Sequence, residues 1–145
     1  MADSPTKVLL VDDEEDFLQS LSKRLSLRQL EVYSANNGYK ALEIIAANPV
    51  DVVLLDMKMP GMDGMQALKE IKKLNPKVEV ILLTGHADLE SSLQGMTLGA
   101  FDYLLKPVAI DELVYKIQDA HKKKTLRGNN QKPPEAPSSN SPDAD

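Results

Sequence analysis

Val50-Asp51-Val52-Val53-Leu54-Leu55-Asp56-Met57-Lys58-Met59-Pro60-Gly61-Met62-Asp63-Gly64 is the stretch on which the fold of this chain turns. It opens as a nearly unbroken apolar run, the pattern of a strand covered on both faces of a parallel sheet. The run stops at a carboxylate, Asp56, and a turn containing Pro60, Gly61 and Gly64 follows directly. Open α/β sheets bind ligands just beyond the carboxyl ends of their strands. Asp56 is therefore expected at the floor of such a crevice. Aspartate is also common in turns, and this stretch alone does not separate a turn aspartate from a reactive one.

On the N-terminal side, Lys7–Val11 is a short apolar run that ends at Asp12-Asp13 and reads as a first strand. Over Glu14–Arg28, Leu18, Leu21 and Leu25 recur at helical spacing with Phe17 beside them. Acidic residues crowd the first turn of that helix, and Lys23, Arg24 and Arg28 lie toward its end, the order a helix dipole favours. Glu31–Ser34 reads as a second strand, Asn36-Asn37-Gly38 as a turn or cap, and Ala41, Leu42, Ile44 and Ile45 as a short helix stopped at Asn48-Pro49. Beyond the opening strand, Met65, Leu68 and Ile71, extended to Leu74, define a helix that Asn75-Pro76 ends. Val78–Leu83 is a fourth strand closing on Thr84-Gly85-His86. A helix at about Leu89–Leu98 is apolar at Leu89, Leu93 and Met96, and carries Ser91, Ser92 and Gly95, which are poor helix formers. Phe101–Leu105 is a fifth strand, followed by Lys106-Pro107. The last helix begins near Ile110 with Asp111 and Glu112 in its first turn, buries Leu113, Val114 and Ile117, and is expected to fray in Lys122-Lys123-Lys124.

Strand and helix alternate five times. Alternation at this spacing implies a parallel sheet with right-handed crossovers and helices on both faces, a doubly wound α/β sandwich of three layers. Of the common doubly wound orders, 2-1-3-4-5 suits five strands, although periodicity does not dictate strand order. The 145 residues divide into a short arm (1–6), one domain (7–124) and a tail or linker (125–145), in which Gly128–Asp145 is rich in Pro, Ser and Asn and nearly free of apolar residues. With 4% aromatic residues, the core must be built from aliphatic side chains and Met. The net charge of −5 gives no reason to expect direct nucleic-acid binding by this domain. There is no Cys, no membrane-spanning apolar run and no signal-peptide pattern at Met1–Pro5, so the default expectation is a cytoplasmic protein without a membrane partner.

The polar residues fall in a telling place. The first strand ends at Asp12-Asp13, the third at Asp56, the fourth at Thr84 and the fifth at Lys106. In a parallel sheet these ends share one edge. Asp12, Asp13 and Thr84 are also residue types that cap helices, and Lys106 alone would pass for a solvated loop lysine. Capping does not explain clustered carboxylates, since two unit charges ~4 Å apart repel by roughly 4 kcal/mol at an effective dielectric near 20. Such a cluster calls for a cation, and hard oxygen donors without Cys favour Mg²⁺ or a similar ion. A carboxylate beside such an ion can act as a nucleophile toward phosphorus and form an aspartyl phosphate. The metal, Lys106 and the Thr84 hydroxyl would then offset the charge of the transferring group. A P-loop (G-x-x-x-x-G-K-[ST]) and a dinucleotide fingerprint (G-x-G-x-x-G) are both absent, and Asp12-Asp13-Glu14 does not fit the D-x-D of aspartate-nucleophile phosphatases.

These residues resemble the receiver domain of bacterial two-component response regulators, over about Lys7 to Lys124: the acid pair Asp12-Asp13 after VLLV, Asp56 in LLDMKMPGMDG, Thr84 in ILLTGHAD, Tyr103 in GAFDYLLKP, and Lys106 before Pro107. The resemblance implies the flavodoxin-like order 2-1-3-4-5 and a cis Lys106-Pro107 bond. It implies that Asp56 accepts a phosphoryl group from a sensor histidine kinase or phosphotransfer protein. It further implies Mg²⁺ held by Asp13, Asp56 and the Lys58 carbonyl, with Asp12 acting largely through water, and Lys106 paired with the phosphoryl group. The domain would catalyse its own phosphorylation and dephosphorylation while serving chiefly as a switch. Thr84 would move toward the phosphoryl group and Tyr103 would turn inward. The fourth helix, fifth strand and fifth helix would form the output face, with Ser91, Ser92 and Gly95 suiting an element that shifts. Lys58 and His86 occupy positions that tune the lifetime of the phosphorylated state. The output is an unknown protein, an effector domain in a longer chain, or a phosphorylation-dependent homodimer. The competing expectation is a pseudo-receiver, a binding module that turns over no phosphate.

Overall fold

The computed structural model describes residues 5–129. Its strands are β1 (Lys7–Val11), β2 (Glu31–Ala35), β3 (Val52–Asp56), β4 (Glu79–Thr84) and β5 (Asp102–Leu105). Its helices are α1 (Glu15–Ser26), α2 (Gly38–Ala47), α3 (Gly64–Leu74), α4 (Leu89–Thr97) and α5 (Ile110–Asn129), with a 3-10 turn at His86–Asp88 leading into α4. The strands pair in parallel in the order β2-β1-β3-β4-β5. The expected doubly wound, flavodoxin-like sandwich is therefore the fold, and element ends differ from the sequence reading by only a residue or two, save in α5.

Every residue of β3 and β4 is buried, because helices cover both faces of the central strands. Alternate strand residues feed separate apolar clusters. Leu9, Val53, Leu55, Val80 and Leu82 pack with Ala41, Ile45, Ala67, Leu68 and Ile71 of α2 and α3. Val8, Leu10, Val52, Leu54, Ile81 and Leu83 pack with Leu18, Leu21 and Leu25 of α1 and Leu113 and Ile117 of α5. Side-chain caps fix two helix starts: Asn37 Oδ1 accepts from the Lys40 amide at 2.8 Å and Asp63 Oδ1 accepts from the Gln66 amide at 2.9 Å. The Asp63 cap sits in the tight loop after Asp56, where Gly61 takes φ +80°.

Two expectations about the helices need correction. The fully buried residues of α4 are Ser92 and Gly95; Met96 packs half-buried against the core as expected, while Leu93 is 49% exposed. A Cβ on Gly95 would lie 2.6 Å from Leu82 Cδ1, so the missing side chain is what lets α4 sit this close to β4. Ser92 satisfies its hydroxyl by donating to the Asp88 carbonyl at 3.1 Å. Two of the weak helix formers of α4, Ser92 and Gly95, are thus packing residues, whereas Ser91 is exposed. The second correction is that α5 does not stop at Lys122-Lys124 but continues to Asn129. Lysine is a good helix former and is favoured near a helix C-terminus, so the basic run prolongs the helix. Val114 is only half-buried. The remainder of the proposed tail, and residues 1–4 of the arm, lie outside the described residues.

The Lys106–Pro107 bond is cis, as expected. Among the described residues, no helix is long and apolar enough to cross a membrane.

The seating of α4 yields a stability prediction. Gly95→Val should destabilise the domain by about 1–3 kcal/mol through overpacking against Leu82. Leu93→Gln, on the outer face, should stay within about 0.5 kcal/mol of the parent. Urea unfolding monitored by far-UV circular dichroism checks both.

Candidate functional site

The strand ends meet as the sequence implies. β1 and β3 are neighbours, so Asp12 and Asp56 extend from adjacent strands. β4 and β5 are neighbours too, with Thr84 opposite Leu105 and the Lys106 amide donating to the Thr84 carbonyl at 2.8 Å. This backbone bond carries the chain past the strand end and turns the Lys106 side chain toward the acids. Its ammonium donates to Asp12 Oδ2 at 3.0 Å and to Asp56 Oδ1 at 3.2 Å. Asp12 is fully buried and Asp56 is 5% exposed, whereas Asp13 faces solvent.

Asp12 does not cap α1 through its side chain in the usual way. Glu14 holds the N-cap position, and Asp12 Oδ1 accepts from the Glu14 amide at 3.0 Å. That bond leaves Oδ2 for Lys106 and locks the first turn of α1 against the site. Carboxylate oxygens of Asp12, Asp13 and Asp56 all lie within 4.8 Å of one another. The set is all oxygen, carries more negative charge than one lysine offsets, and is solvent-accessible on the Asp13 side. These are the properties of a site for a hard divalent cation, so the residues present fit one.

Burial and the neighbouring Asp12 charge raise the Asp56 pKa; the Lys106 ammonium and a hydrogen bond from the Lys58 backbone amide oppose them without cancelling them. Burial pulls the other way on Lys106, but its hydrogen bonds and charge contacts with Asp12 and Asp56 outweigh it and hold the lysine above its ordinary value. Asp56 is thus a carboxylate whose charge is only partly compensated until a further cation or a reacting group arrives.

Asp13, Asp56, Lys58, His86 and Lys106 line a common cavity of about 690 Å³, together with Glu14, Met59, Pro60, Gly85, Ala87 and Asp88. His86, which follows the fourth strand in sequence, therefore shares the cavity with Asp56 but lies outside the carboxylate cluster. Thr84 is buried beside the site and its hydroxyl donates to the Gly85 carbonyl at 3.1 Å, away from Asp56. Tyr103 does not line the cavity. It is half-buried against the cluster that contains Leu82, Met65 and Met96. Sequence reasoning missed two features. One is that Lys106 is paired with Asp12 as well as Asp56. The other is Phe17, read as core, whose ring centre lies 4.7 Å from the Lys106 ammonium.

Fold and site together define a class: α/β signalling domains built around an acidic pocket at the carboxyl edge of the sheet. A sequence profile described as the response regulator receiver domain matches residues 8–118, and the chain belongs to that family. Among curated relatives, it is 42% identical to regulatory protein AtoC of Escherichia coli over 79% of this chain and 25% of the relative. It is 41% identical to the DNA-binding transcriptional regulator NtrC of Escherichia coli over 78% of this chain and 24% of the relative. The chain thus spans about a quarter of the length of the curated relatives it matches. Among solved structures, a response regulator receiver domain protein from Clostridium thermocellum superposes with a TM-score of 0.80 at 42% identity, covering 83% of this chain and 98% of that one. A CheY-like receiver domain protein from Methanospirillum hungatei gives 0.81 at 32% identity, covering 86% and 100%.

The raised Asp56 pKa has a definite consequence for stability. An acid that holds its proton more tightly when folded than when unfolded makes the native state lose stability as pH rises from the ordinary carboxylate range through the raised pKa. Asp56→Asn removes the ionisation and should raise the melting temperature of the metal-free protein at neutral pH. The gain should vanish at a pH below the ordinary carboxylate range, where Asp56 is protonated in both states. Calorimetric melting of both proteins across pH measures the difference.

Proposed function

We propose that Asp56 is the phosphoacceptor of this receiver domain. The observation that carries the reading is the convergence of the Asp12-Asp13 pair, Asp56 and Lys106 from three strand ends onto one cluster, with Asp13, Asp56 and Lys106 lining one cavity and the Asp56 charge only partly compensated. A carboxylate oxygen of Asp56 attacks phosphorus on a phosphohistidine of a sensor kinase or phosphotransfer protein, the P–N bond breaks, and the imidazole leaves with a proton. Asp12, Asp13 and Asp56, with the Lys58 carbonyl, would hold Mg²⁺; when bound, the ion supplies positive charge for the transferring group and for the acid cluster. Lys106 sits within hydrogen-bond range of Asp56 before transfer, so it needs little movement to reach a phosphoryl oxygen. Thr84 is next to the site but bonded elsewhere, so engaging the phosphoryl group requires its hydroxyl to leave the Gly85 carbonyl.

The exchange of Thr84 partners is the proposed start of the switch. Tyr103 lies on β5, half-buried against the core, and would turn inward as Thr84 moves. Phosphorylation shifts the balance of two arrangements by its differential affinity for them. The readout surface is α4, β5 and α5, which also exposes Leu93, Leu105 and Tyr115. The partner there is a separate protein, an effector domain of a longer chain, or a second copy. NtrC, whose name describes DNA binding, is a relative of which this chain matches only a part, so DNA contact would belong to such an effector and not to this domain. Lys58 and His86, which both line the cavity, would hinder the water that hydrolyses the aspartyl phosphate.

Incubation with acetyl phosphate and MgCl₂, followed by intact-mass measurement, tests the reading. One phosphoryl group should be gained only with Mg²⁺ and not by Asp56→Asn. No gain under any condition would favour a phosphorylation-independent binding module. Lys58→Ala and His86→Ala should each shorten the lifetime of the phosphorylated protein about two- to tenfold, on the scale of modest barrier changes; an unchanged decay rate removes them from that role.

A further inference from the structure

We propose that Phe17 is a positioning residue for Lys106, its ring face holding the ammonium so that it points at the Asp56 carboxylate and, after transfer, at the phosphoryl group. The proposal rests on the reading of Asp56 as phosphoacceptor and adds a residue that none of the polar landmarks includes.

A lysine side chain is flexible and its ammonium has three N–H donors. Here two of them are taken by Asp12 Oδ2 and Asp56 Oδ1. The Phe17 ring lies 4.7 Å from the nitrogen, well inside the ~6 Å range over which an aromatic face attracts a cation, and so offers a partner to the third. A leucine could fill the apolar space, but only an aromatic ring presents a negative face to the ammonium.

The ring is itself fixed relative to the acids. Phe17 lies in the first turn of α1, the Leu18 amide bonds the Glu14 carbonyl at 3.0 Å, and the Glu14 amide bonds Asp12 Oδ1 at 3.0 Å. Asp12 and the ring therefore belong to one unit. At its other end, the lysine is anchored by its own amide on the Thr84 carbonyl. Between those anchors the ammonium has a fixed pivot. When Asp56 Oδ1 becomes part of an acyl phosphate, the N–H aimed at it can swing to a phosphoryl oxygen while the contacts with Asp12 and the ring persist.

The test compares the wild-type chain with Phe17→Leu, Phe17→Tyr and Phe17→Trp. Phosphorylation by acetyl phosphate with MgCl₂ is followed by intact mass, and urea unfolding is run in parallel. The Lys106 side-chain methylene protons are observed by NMR, since a ring over the chain end shifts them upfield. Phe17→Leu should phosphorylate about five- to tenfold more slowly and lose the upfield shift, while Tyr and Trp keep both within about twofold, as a cation–π contact of ordinary strength allows. Should the leucine variant not fold, Phe17→Met makes the same comparison. The proposal is overturned if Phe17→Leu phosphorylates at the wild-type rate, if the upfield shift survives it, or if all the variants slow equally, which would mark Phe17 as packing alone. A wild-type protein that gains no phosphoryl group would instead defeat the reading of Asp56, and the proposal with it.

Discussion

The site depends on a charge balance struck by one ammonium. Asp12 and Asp56 come from neighbouring parallel strands, and burial would make their mutual repulsion expensive. Lys106 bridges both, and its backbone is placed for this by a hydrogen bond to the strand next to β3. The compensation is incomplete. Asp13 brings a further negative charge at the solvent-facing side, and Asp56 keeps a raised pKa despite its lysine. A receiver domain in this condition is prepared for more positive charge at the pocket, and the same imbalance that costs stability provides the attraction for a cation.

Packing explains why the balance can be held in place. The central strands are sealed on both faces by separate clusters, one under α2 and α3 and the other under α1 and α5. Their carboxyl ends are consequently held in place by packing on both faces. α4 is attached differently. It meets the sheet through a glycine and a serine, leaving Leu93 toward solvent. With the half-buried Met96 as its one large side chain among the core's packing partners, α4 has fewer contacts to break when it is displaced.

Much of this was legible in the sequence because it rests on local rules. The apolar runs of β1, β3 and β4, the capping residues Asn37 and Asp63, and the polar residue at each strand end are all visible as pattern. That Asp12, Asp56 and Lys106 share one edge follows from parallel topology, and the order β2-β1-β3-β4-β5 brings them together. What could not be read depends on the orientation of elements in space. Leu89, Leu93 and Met96 look like a core stripe on any helical projection, yet only Met96 packs against the core cluster, and the close approach at Gly95 turns Ser92 inward and leaves Leu93 exposed. Phe17 looks like one more apolar residue on α1, because nothing in the local sequence links it to a lysine so distant in the chain. His86, by contrast, is expected near Asp56 from the family resemblance, and it lines the Asp56 cavity from the turn that leads into α4.

At the other end of the sheet, Thr6 Oγ1 is 2.7 Å from His121 Nδ1 and the Lys7 amide donates to Asp51 Oδ2 at 2.8 Å, with His121 Nε2 3.8 Å from Asp51 Oδ1. The segment entering β1, the start of β3 and the far part of α5 are therefore pinned together there. This gives the domain two poles. One is an open acidic mouth, and the other is a closed seam that ties the entry to β1 and the start of β3 to α5 at His121. α5 is thereby held at two points, at this seam through His121 and in its first turn, where Arg28 Nη1 donates to Asp111 Oδ1 at 2.8 Å.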